Sequence, residues 1–316
     1  MRWYQHRYHT PFAHKLVFTI IPRIPRLTHP PIAVVTALIF FLLLSKERRA
    51  VVRNLRHIRP GGPLRLHWEA YRVFYSFCDF MVSYCYVPHA SHDKLLRMLA
   101  RPDRGAERID RCLAQGTGLI VWTAHLGNWE LASRLLELHG RRVNVARVVE
   151  TGNPSEMMLR DLMANERLRV VQLNDDRLAT LELLAALRAG EIVAMQGDRT
   201  AGPARASAPF FGGTADFPLG PFVLSQVSGA PLLPGVVVRE GWLRYRVIVG
   251  EPILPKSSGE GGVGLHEALG HAVKFLEDNV RAYYNQWLNF YDFWPARETE
   301  CGLCPRPGSG ETIANE

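Results

Sequence analysis

The sequence predicts an α/β fold in which helices flank a central, mostly parallel sheet. From residue 116 onward, short apolar runs alternate with stretches of apolar residues at helical spacing, which is typical of strand–helix–strand units. Gly140 and Gly190 follow two of the helical stretches, at positions where helices commonly end. Strands are expected at 119–122, 143–149, 170–173, 192–195, 232–238 and 245–249, helices at 128–139, 178–188, 220–228 and 265–287, and a long loop at 197–214.

The first 60 of the 316 residues are predicted to form a membrane-associating helical segment. They hold 11 Lys and Arg but one acidic residue, whereas the other 256 residues hold 27 Lys and Arg against 29 Asp and Glu. The uncharged run 31–44 has basic residues on both sides but is shorter than the roughly 20 residues of a full span. A short tilted span, an anchor lying in one leaflet and a buried core helix all remain open, and the basic flanks favour membrane contact.

Composition indicates one large folded domain over 61–297, after the basic segment 1–60 and before a tail, 298–316, predicted to be disordered. Five cysteines in no regular framework indicate free thiols, and no metal site is expected. The apolar run beside the basic cluster points to membrane lipids and not nucleic acid as partner, although a basic terminus could bind either.

The sharpest local feature is the His125 to Glu130 spacing, which follows a predicted strand and opens a helix. Histidine titrates near neutral pH and can take the proton of a hydroxyl nucleophile. Gly127 permits the turn, Asn128 can cap the helix, and the turn can fold the His125 ring towards the Glu130 carboxylate. We therefore predict His125 as a general base, Glu130 as the carboxylate that orients it, and backbone N–H groups of the helix start as oxyanion donors.

The spacing alone is common, and a histidine in a turn beside a surface glutamate is the plain alternative. Its place between a strand and a helix favours the catalytic interpretation. The HExxH pattern of zinc proteases and the P-loop pattern are both absent.

The segment TAHLGNWELA, residues 123–132, resembles the HX4E signature of the lipid A late acyltransferase family, within the lysophospholipid acyltransferase superfamily. Further segments resemble that family in the same order, from about residue 20 to 295. They are Arg53-Asn54-Leu55, Arg147, Gly197-Asp198, the FFG and PxGP segments at 208–213 and 217–221, and the aromatic region 284–294.

The resemblance implies a glycerol-phosphate acyltransferase-like fold at the cytoplasmic face of the inner membrane. It implies transfer of an acyl chain from acyl-acyl carrier protein, or acyl-CoA, to a lipid hydroxyl, with no metal or bound redox cofactor. His125 would be the base and Glu130 its partner. The substrate-binding residues would be Asn128, Arg147, Asp198, Arg199, Phe210, Phe211 and Gly212, with Arg147 holding an anionic acceptor group or supporting the pocket and Asp198 shaping the site.

Two departures from the family pattern concern the acceptor. Arg199 stands where the family commonly has Gln, and Val-Val-Glu-Thr after Arg147 lacks the usual Pro. The acceptor is therefore a lipid A precursor or another membrane lipid, such as an ornithine lipid, a glycolipid or a polyene-type lipid. A non-catalytic lipid-binding or assembly protein that keeps the fold is the alternative function.

Overall fold

A computed structural model describes residues 20–100, 105–148, 166–173, 177–200, 202–254 and 263–294. Within these ranges, five helices precede the first strand of the sheet: α1 (His29–Leu43), α2 (Ser45–Ile58), α3 (Pro63–Tyr86), α4 (His92–Arg97) and α5 (Ala106–Leu113). The later helices are α6 (Trp129–Leu136), α7 (Arg177–Arg188), α8 (Gly220–Ser228) and α9 (Leu265–Tyr283). The tail 298–316, predicted to be disordered, lies outside the described residues.

The central sheet has six strands in the order β3-β2-β4-β1-β7-β8. The strands are β1 (Leu119–Thr123), β2 (Val143–Arg147), β3 (Leu168–Gln172), β4 (Ile192–Gln196), β7 (Leu232–Gly241) and β8 (Arg244–Val249). The first five in that order are parallel, and β8 runs antiparallel to β7. The predicted α/β fold with a mostly parallel, helix-flanked sheet is therefore confirmed.

Helices bury both faces of this sheet, because alternate residues of a strand point to opposite sides. On β1, Leu119 and Val121 pack with residues of α5 and α6, whereas Ile120 and Trp122 face the core built with α7, α8 and α9. Burial on both faces explains why the central strands read as continuous apolar runs. The carboxyl ends of β1, β2 and β4 meet at one edge of the sheet.

The predicted loop 197–214 is wrong in its second half, where β5 (Arg205–Phe210) and β6 (Gly213–Pro218) form an antiparallel hairpin. Alternate residues along it are buried, including Phe210 and Phe217. Phe211 and Gly212 make the turn with φ of 49° and 73°, a conformation that glycine adopts readily. The small residues of this stretch concealed the two-residue alternation that marks a strand.

The amino-terminal helices α1 and α2 meet at a bend of 96° after Leu43. No single helix in the described ranges, α1 and α2 included, is long and apolar enough to cross a bilayer. Taken together, the bent pair of α1 and α2 has the length and composition that a span requires. Ala33 and Ala37 of α1 are buried, whereas Leu38 and Leu42 on the same helix are 48% and 60% exposed. Membrane association of this segment stays a prediction.

Candidate active site

The turn after β1 places His125 at the carboxyl edge of the sheet. Gly127 has a φ of +73°, and a Cβ there would lie 2.1 Å from the carbonyl oxygen of Val237, so this position requires glycine. Asn128 caps α6 by accepting from the backbone N–H of Leu131 at 3.0 Å, as the sequence predicts for it. The Asn128 amide also donates to Ser83 Oγ at 2.9 Å, so both ends of this side chain are used in holding the turn.

His125 is held by Asp198, which follows the neighbouring strand β4. The His125 Nδ1–H donates to Asp198 Oδ1 at 2.8 Å, and the His125 backbone N–H lies 3.1 Å from both carboxylate oxygens. Asp198 is fully buried and also accepts from Trp287 Nε1 at 3.0 Å and Asn289 Nδ2 at 3.3 Å. A proton fixed on Nδ1 puts the ring's lone pair on Nε2, the tautomer that a general base needs.

The predicted contact between Glu130 and His125 is therefore wrong. Glu130 is 2% exposed, and its Oε1 pairs with Arg147 Nη2 at the end of β2 and accepts from Trp129 Nε1 at 3.1 Å. The Arg147 guanidinium also hydrogen-bonds Tyr84. Because a buried carboxylate requires a compensating charge, Glu130 turns to the arginine on the next strand and not to the imidazole.

The electrostatics of the site favour a neutral imidazole beside an ionised carboxylate. Burial lowers the pKa of His125 to about 4, the charge of Arg199 lowers it as well, and Asp198 acts in the opposite direction. Burial would raise the pKa of Asp198, but His125, Arg199 and the Trp287 N–H outweigh it and hold that pKa well below its usual range. Neutral His125 is thus ready to accept a proton at neutral pH.

Arg147 and Arg199 both come within electrostatic reach of His125. Burial acts to lower the pKa of Arg147, but Glu130 and Tyr84 outweigh it and raise the pKa above its ordinary value. Arg199 donates from Nε to Asn289 Oδ1 at 2.8 Å and from Nη2 to the Leu288 carbonyl at 2.7 Å. The structure thus brings Arg147, Asp198 and Arg199 to the site, as the resemblance implies.

A polar row crosses the same edge of the sheet. Thr123 and Gln196 are register partners at the ends of β1 and β4, and Arg147 ends the adjacent β2. Thr123 Oγ1, Gln196 Nε2 and Glu130 Oε2 are buried and have no hydrogen-bond partner within the described part of the chain. Because buried polar groups are nearly always paired, these atoms suit the hydroxyls of a bound molecule or of water. Thr123 and Gln196 could not be recognised as site residues from sequence, since their proximity depends on strand register.

The structure places Phe210, Phe211 and Gly212 at the end of β5 and in the turn of the β5–β6 hairpin. Phe210 is fully buried in an aromatic cluster, with its ring 5.8 Å from that of Trp287 and stacked on Trp294 at 5.6 Å. Phe211 and Gly212 form the hairpin turn. Phe210 thus contacts the Trp287 indole that donates to Asp198, and the predicted lining of the site by Phe210, Phe211 and Gly212 stays a prediction.

The backbone N–H groups of the turn before α6 are in use. The Gly127 N–H donates to the Gln286 carbonyl at 3.0 Å, and the Asn128 N–H donates to the Val237 carbonyl at 2.6 Å. The His125 N–H is bonded to Asp198, and in the first turn of α6 the Leu131 N–H donates to the Asn128 side chain. The helix start as an oxyanion donor stays a prediction, and the charges of Arg147 and Arg199 also act on His125.

This chain is similar in sequence to known acyltransferases. Residues 4–295 match the sequence profile of the family described as bacterial lipid A biosynthesis acyltransferase. The chain is 32% identical over 220 residues to the phosphatidylinositol mannoside acyltransferase of Mycobacterium tuberculosis, in strains H37Rv and CDC 1551 alike. The aligned region covers 68% of this chain and 66% of each relative, just under two thirds of their length.

Proposed function

Because this chain belongs to the bacterial lipid A biosynthesis acyltransferase family, we propose that it transfers a fatty acyl chain from a thioester donor to a hydroxyl of a membrane glycolipid. The observation that carries the proposal is the buried pair of His125 and Asp198 at the carboxyl edge of the parallel sheet. Ligands of open α/β sheets bind at this edge. Family membership supports the reaction type, and the geometry supports the residue that starts it.

In the proposed reaction, His125 Nε2 removes the proton of the acceptor hydroxyl while Nδ1–H stays bonded to Asp198. The oxygen attacks the thioester carbonyl carbon and forms a tetrahedral intermediate. As this collapses, the C–S bond breaks, the ester C–O bond remains, and the imidazolium returns its proton to the thiolate. Asp198 stabilises the imidazolium between the two proton transfers, and the charges of Arg147 and Arg199 stabilise the oxyanion.

The donor in this proposal is acyl-acyl carrier protein or acyl-CoA. Both present the same thioester, which is already activated towards attack by an alkoxide. The reaction needs no metal and no bound redox cofactor, since one histidine serves as base and then as acid. Assays with each donor separately distinguish the two.

The polar row supports a sugar as the acceptor. Hydroxyl groups can donate to the Glu130 carboxylate and accept from the Gln196 amide, and the Thr123 hydroxyl can do either. The name of the mycobacterial relative describes a mannose-bearing lipid as its substrate. A lipid A precursor, or another membrane lipid with a sugar headgroup, would present its hydroxyls to this row with one of them at His125.

The exposed side of α1 supports a place at the bilayer surface, which we propose is the cytoplasmic face of the inner membrane. Val35, Leu38 and Leu42 share one helical face and are 57%, 48% and 60% exposed. Trp68, on the adjoining α3, is 61% exposed. A contiguous apolar surface followed by the basic residues of α2 is typical of an anchor in an anionic leaflet.

We expect the double substitution Leu38→Glu and Leu42→Glu to weaken binding to vesicles of anionic phospholipid by at least about tenfold. Each leucine would lose roughly 1.5–3 kcal/mol of apolar burial, and 1.4 kcal/mol corresponds to tenfold in affinity. Vesicle co-flotation over a lipid titration measures the change. Leu181→Glu is the matched control, because Leu181 on α7 is equally exposed, at 60%. Equal flotation of the double variant and wild type would contradict the proposed anchor.

The direct test of the proposed function combines lipid analysis with purified protein. A strain lacking this chain should lose one acylated glycolipid and accumulate the same lipid short of one acyl chain. The purified protein should then acylate the accumulated lipid with labelled acyl-acyl carrier protein or acyl-CoA. Binding of the lipid without turnover with either donor would support a non-catalytic lipid-binding protein instead.

A further inference from the structure

The segment 286–293, which follows α9, closes over the turn that carries His125. The Leu288 N–H donates to the His125 carbonyl at 2.8 Å, and the Gln286 carbonyl accepts from Gly127 at 3.0 Å. The backbone at His125 and at Gly127 is therefore hydrogen-bonded to this segment. A shift of segment 286–293 would move the His125 ring with it.

The same segment holds the partner of His125. Asn289 lies between two charged side chains: its Nδ2 donates to Asp198 at 3.3 Å, and its Oδ1 accepts from Arg199 Nε at 2.8 Å. Trp287 adds an indole N–H to Asp198 at 3.0 Å. The orientation of the Asp198 carboxylate thus depends on where the backbone of segment 286–293 runs.

That backbone is fixed from the other end of the chain by Asn54, on α2. Asn54 is 4% exposed, and its Nδ2 donates to the Asn289 carbonyl at 3.3 Å and the Tyr291 carbonyl at 2.8 Å. Its Oδ1 accepts from the Phe293 N–H at 3.0 Å. A primary amide is the side chain that can donate twice and accept once from a single planar group, so neither aspartate nor leucine can replace this pattern.

We propose that Asn54 is a positioning residue for acyl transfer, which sets the Asp198 carboxylate, and through it the His125 ring, by fixing segment 286–293. The proposal rests on the proposed function, because it assumes that His125 acts with Asp198. The connected path runs from Asn54 to the Asn289 backbone, through the Asn289 side chain to Asp198, and on to His125. Asn54 itself is a positioning group and contacts no reacting atom.

The neighbouring Arg53 provides a matched comparison on the same helix and the same segment. It forms a two-pronged ion pair with Asp292 at 2.5 and 2.8 Å, but the two side chains are 48% and 44% exposed. Exposed ion pairs contribute little to stability. Arg53→Ala therefore removes an ion pair with segment 286–293 without leaving a buried polar group unpaired.

The experiment compares Asn54→Asp and Asn54→Ser with Arg53→Ala and wild type in the full chain. Asn54→Asp keeps the acceptor but loses both donors, and Asn54→Ser is the uncharged variant in case the aspartate prevents folding. We expect either Asn54 variant to lower kcat by about tenfold or more at a nearly unchanged KM for the acyl donor, corresponding to a loss of alignment in the transition state. Arg53→Ala should stay within about twofold of wild type.

A second readout does not depend on turnover. The Nδ1 proton of His125, shared with Asp198, is followed by proton NMR with histidine labelled in the ring nitrogens. Asn54 variants should shift or lose this resonance, whereas Arg53→Ala should keep it. Folded Asn54 variants with wild-type kcat and an unchanged resonance would overturn the proposal, even if their melting temperature falls. The variant His125→Ala is assayed in parallel. Retained acyl transfer by that variant would show that His125 is not the base, whereas the Nδ1 proton resonance in the Asn54 variants still tests whether Asn54 positions His125.

Discussion

Replacing His125 with alanine is expected to reduce acyl transfer by about 10²–10⁴-fold. The variant loses the only group in the proposed mechanism that takes the proton of the acceptor hydroxyl, and a positioned base contributes roughly 10²–10⁴ in rate. The proton-returning step to the thiolate is lost with it. The measurement is transfer of labelled acyl chain to lipid by purified protein, with circular dichroism to verify the fold.

His139→Ala is the matched control for this result. His139 Nδ1 also bonds a carboxylate, that of Asp110, at 2.6 Å. His139 follows α6 and Asp110 lies on α5, away from the carboxyl edge of the sheet, and the Asp110 side chain is 63% exposed. His139→Ala should therefore leave acyl transfer unchanged, although it also removes a histidine–carboxylate pair. Turnover by His125→Ala at a rate near wild type would remove His125 from the chemistry.

The second large effect is expected for Asp198→Asn, which should lower kcat by about 10³–10⁴-fold, as loss of the tautomer-fixing carboxylate does in other histidine-based mechanisms. The amide has nearly the shape of the carboxylate. It cannot stabilise the imidazolium, and its Nδ2–H groups can reverse the hydrogen bond so that the proton moves to Nε2. The base is then blocked although the ring stays in place.

Glu130→Gln separates this interpretation from the one that the HX4E spacing suggests. Both carboxylates are buried, but Glu130 is paired with Arg147. We expect this substitution to lower the free energy of unfolding by about 1–3 kcal/mol, the size of a hydrogen bond to a charged group, and to affect kcat far less than Asp198→Asn does. Thermal denaturation and kcat are measured on both variants. A larger loss of kcat in Glu130→Gln than in Asp198→Asn would restore Glu130 as the partner of the base.

Much of the fold could be predicted from sequence because the sheet is covered on both faces. Buried parallel strands are continuous apolar runs, such as 119–122 and 192–195, and these are recognisable without knowing their neighbours. The hairpin formed by β5 and β6 was missed for the opposite reason. Its strands bury alternate residues, including Phe210 and Phe217, but this alternation is hard to recognise among the glycines, prolines and alanines of the segment.

The site was predicted in part, and the error has a geometric cause. Spacing along the chain drew attention to Glu130, five residues from His125. Register across the sheet decides the contact instead: Thr123 is paired with Gln196, so the residues two positions further on, His125 and Asp198, lie side by side. Chain order does not reveal that β4 lies next to β1, because β2 and β3 come between them in sequence. Arg147 was recognised from sequence, but its pairing with Glu130 was not, because that contact also depends on the order of the strands in the sheet.

The pH dependence of kcat/KM for wild-type protein tests the central claim most directly, because this ratio reports the ionisation of the free enzyme. Only neutral His125 can act as base, and its pKa is lowered to about 4, so activity should fall as the pH drops through about 4 and be level from about pH 5.5 to neutrality. An acid limb centred near 6.5, the ordinary pKa of histidine, or a rate that does not fall as the pH drops through about 4 would contradict an imidazole held by Asp198 as the base.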